Sequence, residues 1–222
     1  MANEFDCAVE AIVIAAETPQ HFPLAEAALR AGKHVFVEKP LAQTVAQAER
    51  LVDLADQQQR HLMVGHLLRY HPAFRYVENL IHSGDLGAVY YLYSVRVNLG
   101  IVRQRENAFV SLAPHDLAIA LSFLPSPPVA VAAHGHAYLQ PDVEDVVFAT
   151  VFFEDGQLAH LHTSWLDPHK IRKMTIVGTK KMVTWDDMSA GEKVRIYDKA
   201  AVTPRVTSYA EGASVAITNN QV

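Results

Sequence analysis

Residues 11–16, Ala-Ile-Val-Ile-Ala-Ala, form a short unbroken apolar run with β-branched side chains, the pattern of a parallel strand covered on both faces. Thr18-Pro19 ends it, and an Ala- and Leu-rich helix is predicted over 22–31, closed by Gly32. His34-Val35-Phe36-Val37 is a second buried strand, stopped by Pro40. Thr44 with Gln47 three residues on is a capping box, and Val45, Ala48, Leu51, Val52 and Ala55 keep helical spacing after it. His61-Leu62-Met63-Val64 is a third strand, ending at Gly65. Strand, helix, strand, helix and strand at this spacing predict crossover units and a parallel sheet.

After Gly65 the rhythm changes. A helix is predicted over 72–81, with Gly84 just past it, then a long Tyr- and Val-rich strand over 89–98. The stretch 109–124 reads as helical beyond Pro114 and is closed by Ser126-Pro127-Pro128. Strand-like runs follow at 129–138, 145–153, 157–165, 173–177, 182–185 and 194–197, with a hairpin signal at Glu154-Asp155-Gly156-Gln157. Along 145–153 both alternating sets are largely apolar, unlike a strand with one solvated face. The expected fold is therefore α/β, a partial Rossmann parallel-sheet domain, followed by an α+β domain with a large open, mainly antiparallel sheet. The expected divisions are 1–66, 67–199 and an irregular tail at 200–222, where periodicity fades.

Composition narrows the class without changing this picture. Half of the 222 residues are hydrophobic, which excludes intrinsic disorder, and a net charge of −5 argues against a nucleic-acid binder working through a basic face. The single cysteine, Cys7, forms no internal disulfide and suits a reducing compartment. The early apolar run is too short to span a bilayer and lacks a basic leader, so a cytoplasmic protein is expected, with no membrane partner.

In an open parallel sheet, ligands bind beyond the carboxyl ends of the strands. Those ends carry Glu17-Thr18, Glu38-Lys39 and His66, so three successive strands deliver polar groups to one edge. Lys39, followed by Pro40 and held to extended conformations, is suited to polarising a substrate hydroxyl or carbonyl.

The run Ala27-Ala28-Leu29-Arg30-Ala31-Gly32-Lys33-His34-Val35-Phe36-Val37-Glu38-Lys39-Pro40-Leu41 closely resembles the signature of the Gfo/Idh/MocA oxidoreductases, the glucose–fructose oxidoreductase and inositol dehydrogenase family. His21 matches the histidine this family places ahead of that helix. The stretches 65–72, with His66 and Arg69, and 84–87 resemble its next blocks, and the likeness runs from about Val9 to Asp198. The resemblance implies NAD or NADP as cofactor and a sugar-like substrate. It also implies Lys39 and His115 as catalytic residues, with Glu17, His21, Glu38, Lys39 and His66 along the cofactor edge. In the second block, Ser111-Leu112-Ala113-Pro114-His115-Asp116, Ser111 stands where the family usually has an aspartate, so no fixed negative charge sits at that position. Asp116 could replace it only by turning inward. Segments 143–146 and 163–173 resemble a branch acting on nucleotide sugars. Lys170, Arg172 and Lys173 would face a diphosphate and Trp165 a ring, with Arg69 and Ser111 completing the substrate contacts.

The family's dinucleotide fingerprint does not appear: no two of the ten glycines have G-x-G spacing, and the first is Gly32. The expectation is a chain whose cofactor domain begins near its fourth strand. It would be an oxidoreductase acting on a secondary alcohol of a sugar or nucleotide sugar, impaired in this form. The alternative is a non-catalytic binding or assembly protein. Two H-x-H pairs, His134/His136 and His160/His162, would share a metal if their strands were adjacent, but no carboxylate or Cys stands at ligand spacing, so no metal is expected. The doubly apolar strand at 145–153 predicts a homo-oligomer, dimer or tetramer, formed through the open sheet.

Overall fold

The structure, a computed structural model, describes residues 8–100, 102–104 and 106–199. Cys7 and the tail expected at 200–222 lie outside the described residues. The chain divides into two compact units between Leu67 and Leu68.

The first unit is a three-stranded parallel sheet in the order β1 (Ala11–Ile14), β2 (His34–Val37), β3 (Leu62–Val64). Helix α1 (Thr18–Arg30) connects β1 to β2, and α2 (Val45–Gln57) connects β2 to β3. Helix α1 starts four residues earlier than its apolar pattern suggests. Proline is tolerated in a first turn, where its missing N–H has no helical partner anyway, so Pro19 begins the helix rather than preceding it. It ends as expected, with Gly32 at φ +72°. Thr44 caps α2 by accepting from the Gln47 N–H at 3.2 Å, while the Gln47 side chain accepts from the Gln43 N–H, also at 3.2 Å.

One expectation is overturned here. The register aligns Ile12, Val35 and Leu62 and, one step on, Ile14, Val37 and Val64. Of these, Ile14, Val35 and Val37 form the core with Ala25, Ala28, Leu29, Leu51 and Leu54, and Ile12 and Leu62 pack against it. The alternate row is Val13, Phe36 and Met63, and Val13 is 71% exposed. Among the described residues the strands are therefore covered on one face, where α1 and α2 join a single core.

The second unit opens with α3 (Pro72–His82), β4 (Val89–Val97) and α4 (Ala108–Phe123). Six strands follow: β5 (Pro128–His136), β6 (Val146–Phe153), β7 (Leu158–Ser164), β8 (Ile171–Gly178), β9 (Met182–Asp186) and β10 (Val194–Tyr197). They form one sheet in the order β10-β9-β8-β4-β7-β6-β5, in which every pair is antiparallel except β4–β7. Helices α3 and α4 bury one face, with the Phe74 and Phe123 rings stacked 5.0 Å apart over Leu92, Leu161 and Ile176. The β6–β7 hairpin turns at Gly156, φ +85°. Helix α4 begins at Ala108, ahead of the expected start beyond Pro114. The Asn107 side chain caps it, accepting from the Val110 N–H at 2.9 Å, and Pro114 removes only one bond within the helix.

Candidate active site

At the carboxyl edge of the first sheet, Glu38 follows β2, its N–H bonded to the Ile14 carbonyl at the end of β1. Its carboxylate accepts from the Lys39 N–H at 3.3 Å. Gly65, at the end of β3, donates to the Val37 carbonyl at 2.8 Å. A Cβ at Gly65 would lie 3.2 Å from the Glu38 carboxylate and from the Phe36 ring, so the bare backbone there is what lets Glu38 lie across the strand end. The Lys39–Pro40 peptide bond is cis.

His21 belongs to this edge in a different way from that expected. It is 1% exposed, and its two ring nitrogens lie 2.7 Å from the Pro40 carbonyl oxygen and 3.0 Å from that of Ala16. The ring therefore ties the end of β1 to the Lys39–Pro40 turn, with both nitrogens occupied by backbone. A neutral imidazole carries one N–H and can donate to one of these carbonyls; the doubly protonated ring donates to both. His21 is a strap beneath the edge rather than a residue lining it. Glu17 is exposed and His66 half-buried.

These residues suit a polar ring held at the strand ends. They do not suit a pyrophosphate at the start of α1. There Pro19 contributes no N–H, the Gln20 N–H is bonded to the Glu17 carbonyl at 2.8 Å, and the Glu17 carboxylate stands at the N-cap.

In the second unit, Ser111 and His115 lie one turn apart on α4, Ser111 buried and His115 half-buried. Asp116 does turn inward, but not to stand in for the missing aspartate. It is 3% exposed and takes both prongs of Arg96, Nε to Oδ2 at 2.9 Å and Nη2 to Oδ1 at 2.7 Å. Its charge is thus committed to β4. The start of α4 has a second anchor, the Asn107 amide donating to Glu144 Oε2 at 2.8 Å; that bond holds the Glu144 carboxyl below the usual carboxylate range.

The expected substrate contacts are dispersed. Trp165 is 2% exposed and offers no open surface for a ring, because its position after β7 continues that strand's inward row. Arg172 and Lys173, neighbours on β8, point to opposite faces of the sheet: Arg172 is paired across to Arg96 on the helix side, whereas Lys173 aligns with Val95 and Asp186 on the open side. A diphosphate clamp using both is excluded by that alternation. Arg69 and Lys170 are exposed.

Sequence reasoning missed the node around Asp187. Its carboxylate lies 3.8 Å from His71 Nε2 and 3.9 Å from both Arg172 Nη1 and Lys193 Nζ. His71 Nδ1 accepts from the Ala73 N–H at 3.1 Å, so the proton sits on Nε2, facing Asp187, while the ring stacks on Trp185 at 5.4 Å. A small cavity lies against Leu68, Arg96, Arg172 and Trp185 beside it.

The H-x-H pairs do not meet. They sit on β5 and β7 with β6 between them, and Phe148 separates His134 from His162 in the register. Among the described residues no group of three or more His, Cys, Asp or Glu could hold a metal, and no helix is long and apolar enough to cross a membrane.

Residues 1–66 match the oxidoreductase family with an NAD-binding Rossmann fold, and residues 74–184 match the GFO/IDH/MocA C-terminal domain. UDP-N-acetylglucosamine 3-dehydrogenase of Acidithiobacillus ferrooxidans is 30% identical over 196 residues, 88% of this chain and 60% of that protein. Its solved structure superposes with a TM-score of 0.77 at 29% identity, covering 86% of this chain and 61% of that one. Inositol 2-dehydrogenase 2 of Saccharopolyspora erythraea is 31% identical over 159 residues, 69% of this chain and 47% of its own length. The chain thus spans roughly half to three fifths of the length of these relatives. With both halves of its described fold matched by the two domains of one family, the chain belongs to the Gfo/Idh/MocA oxidoreductases.

Proposed function

We propose that this chain is the catalytic portion of an NAD(P)-dependent oxidoreductase acting on a secondary alcohol of a sugar or nucleotide sugar. The observation that carries the reading is the Glu38-Lys39-Pro40 turn at the carboxyl edge of β2, held from below by His21 and flanked by Glu17 and His66. Residues 1–66 serve the cofactor, and 67–199 the substrate and association. A bound nicotinamide supplies the hydride acceptor. Lys39 carries a cation that stabilises charge developing on the alcohol oxygen, and His115 takes the hydroxyl proton. Glu38 fixes the Lys39 backbone. Exposed Arg69 and Lys170, with Arg172, are the cations available to an anionic substrate. The named activities of the relatives, on UDP-N-acetylglucosamine and on inositol, support sugar and nucleotide-sugar substrates. The lone cysteine and mild acidity support a cytoplasmic protein that binds neither nucleic acid nor membrane. The open sheet supports a homo-oligomer.

The test is NADH formation, followed by absorbance at millimolar NAD+ with UDP-N-acetylglucosamine or myo-inositol. Lys39→Met and His115→Asn should each lower the rate by about a hundredfold or more. A rate that survives both substitutions overturns the assignment. Sugar-nucleotide binding without NADH formation would instead favour a binding or assembly protein, the reading supported by the lack of any G-x-G pair among the ten glycines.

A further inference from the structure

The first sheet has an open edge. Its strand order leaves β1 paired on one side only among the described residues. The carbonyls of Glu10 and Ile14 accept from the His34 and Glu38 N–H groups, each at 2.9 Å. Alternate residues of a strand bond to the same neighbour, so Ala11 and Val13 turn their N–H and C=O groups away from β2, toward the open edge. The side chains along it are apolar as well. Val13 is 71% exposed, and residues 12–16 line an open groove with Leu24 of α1.

Natural edge strands are kept apart by charges, prolines and bulges. Residues 11–16 contain no charged side chain and no proline, and the β1–β2 register runs without a shift. The long free edge of the second sheet is different: β5 opens on Pro127-Pro128, and its register shifts between Pro128 and Ala130.

What fits the β1 edge is written in the strand itself. Ala11-Ile12-Val13-Ile14-Ala15 reads the same from either end. Turned antiparallel about a two-fold axis at Val13, Ala11 meets Ala15, Ile12 meets Ile14, and Val13 meets its own copy. We propose that the free edge of β1 pairs with β1 of a second copy in this register, joining two three-stranded sheets into one of six strands. Ala11, Val13 and Ala15 are then the positions that exchange N–H and C=O across the axis. The two Val13 side chains lie together on the open face, and the Ile12–Ile14 pairs extend the apolar row that faces the helices.

The acids bracketing the segment are spread by the same register. Glu10 falls opposite Ala16 and Glu17 opposite Val9, so no two carboxylates stand face to face. Each Glu10 still has the other copy's Glu17 one step away, which keeps the pairing modest. Five paired residues give a contact about 17 Å long, in the class of small, concentration-dependent interfaces. Because the two strands run oppositely, the two Glu38-Lys39-Pro40 turns lie at opposite ends of the joined sheet. The pairing stands apart from the reading of the site and from any association through the second sheet.

Sedimentation of the full chain from micromolar to near-millimolar concentration tests it. The parent should associate as concentration rises, and hydrogen exchange at the amides of Ala11 and Val13 should slow in step. Val13→Lys and Val13→Glu alter an exposed side chain and should keep the parent's circular dichroism. Each should nonetheless weaken pairing by about fivefold or more, because like charges then stand directly opposite. Mixed in equal amounts, the two variants should pair at least as tightly as the parent. Val13→Pro removes an N–H that points away from β2, so it should weaken pairing while leaving the β1–β2 ladder in place. A parent that stays monomeric throughout would overturn the proposal. Association that none of the three variants weakens would overturn it too, by assigning the contact to another surface, and so would a Lys–Glu mixture that fails to pair.

Discussion

Arg96 and Asp116 meet as a two-pronged ion pair in the interior of the second unit, joining β4 to α4 one residue beyond His115. Their side chains are 9% and 4% exposed. Removing one partner strands a buried charge, so Asp116→Asn should lower unfolding free energy by about 3 kcal/mol in urea titrations. Replacing both with well-packed apolar residues should cost less than the single change does. A loss below about 1 kcal/mol for Asp116→Asn would mean that water reaches Arg96.

His21 has no open side, and substituting it tests strap against lining. His21→Phe fills the space but removes the ring nitrogens that face the Ala16 and Pro40 carbonyls, at an expected cost of about 2 kcal/mol measured by thermal unfolding. A residue that merely lined the edge would be replaced with little loss of stability.

Asn107 bridges the α4 N-terminus and Glu144. Asn107→Ala should cost about 1 kcal/mol through loss of the cap. Because the folded Glu144 carboxyl lies below its unfolded value of 4.5, its contribution is fully present above that pH and disappears as pH falls through the folded value. Glu144→Gln should therefore lower stability slightly at pH 7 and leave it unchanged well below about pH 4.5, so that the variant loses less on acidification than the parent, as read by unfolding across that range.

Dinucleotide affinity should be poor in this chain. Each charge-assisted contact to a pyrophosphate is worth roughly 1.5–3 kcal/mol, and the sequence carries no G-x-G-x-x-G turn to supply such contacts. Calorimetric titration with NADH should give no measurable binding below the millimolar range, and a micromolar constant would show that the chain holds the dinucleotide without that turn.

Local structure was legible in this sequence where one residue type settles it. Thr44 and Gln47 announced α2, Gly32 closed α1, and Gly156 marked the β6–β7 turn, each through a bond or dihedral that few other residues supply. What depends on distant partners was not. Val13 and Phe36 read as covered on both faces because a β-branched run looks the same whether one or two layers pack on it. Trp165 read as a ligand surface because an aromatic in a polar, basic segment carries no mark of the direction it faces. The opposition of Arg172 and Lys173 was in principle readable from strand alternation, but only once the start of β8 at Ile171 was known. Asp116 was noticed for its neighbour His115, and its true partner, Arg96, lay on another element.

The parallel pairing of β4 with β7 carries a consequence for how the second unit assembles. The strands β5, β6 and β7 follow one another through antiparallel pairings, and so do β8, β9 and β10, so each wing of the sheet can zip up along a contiguous stretch of chain. The central strand, β4, precedes both and must slot between them, edge to edge with β7 and β8. Closing those two seams requires bringing together segments far apart in sequence, which is the slow kind of folding event. The inner edges of β7 and β8 are paired only through β4, so this one strand is what makes two locally built wings a single platform.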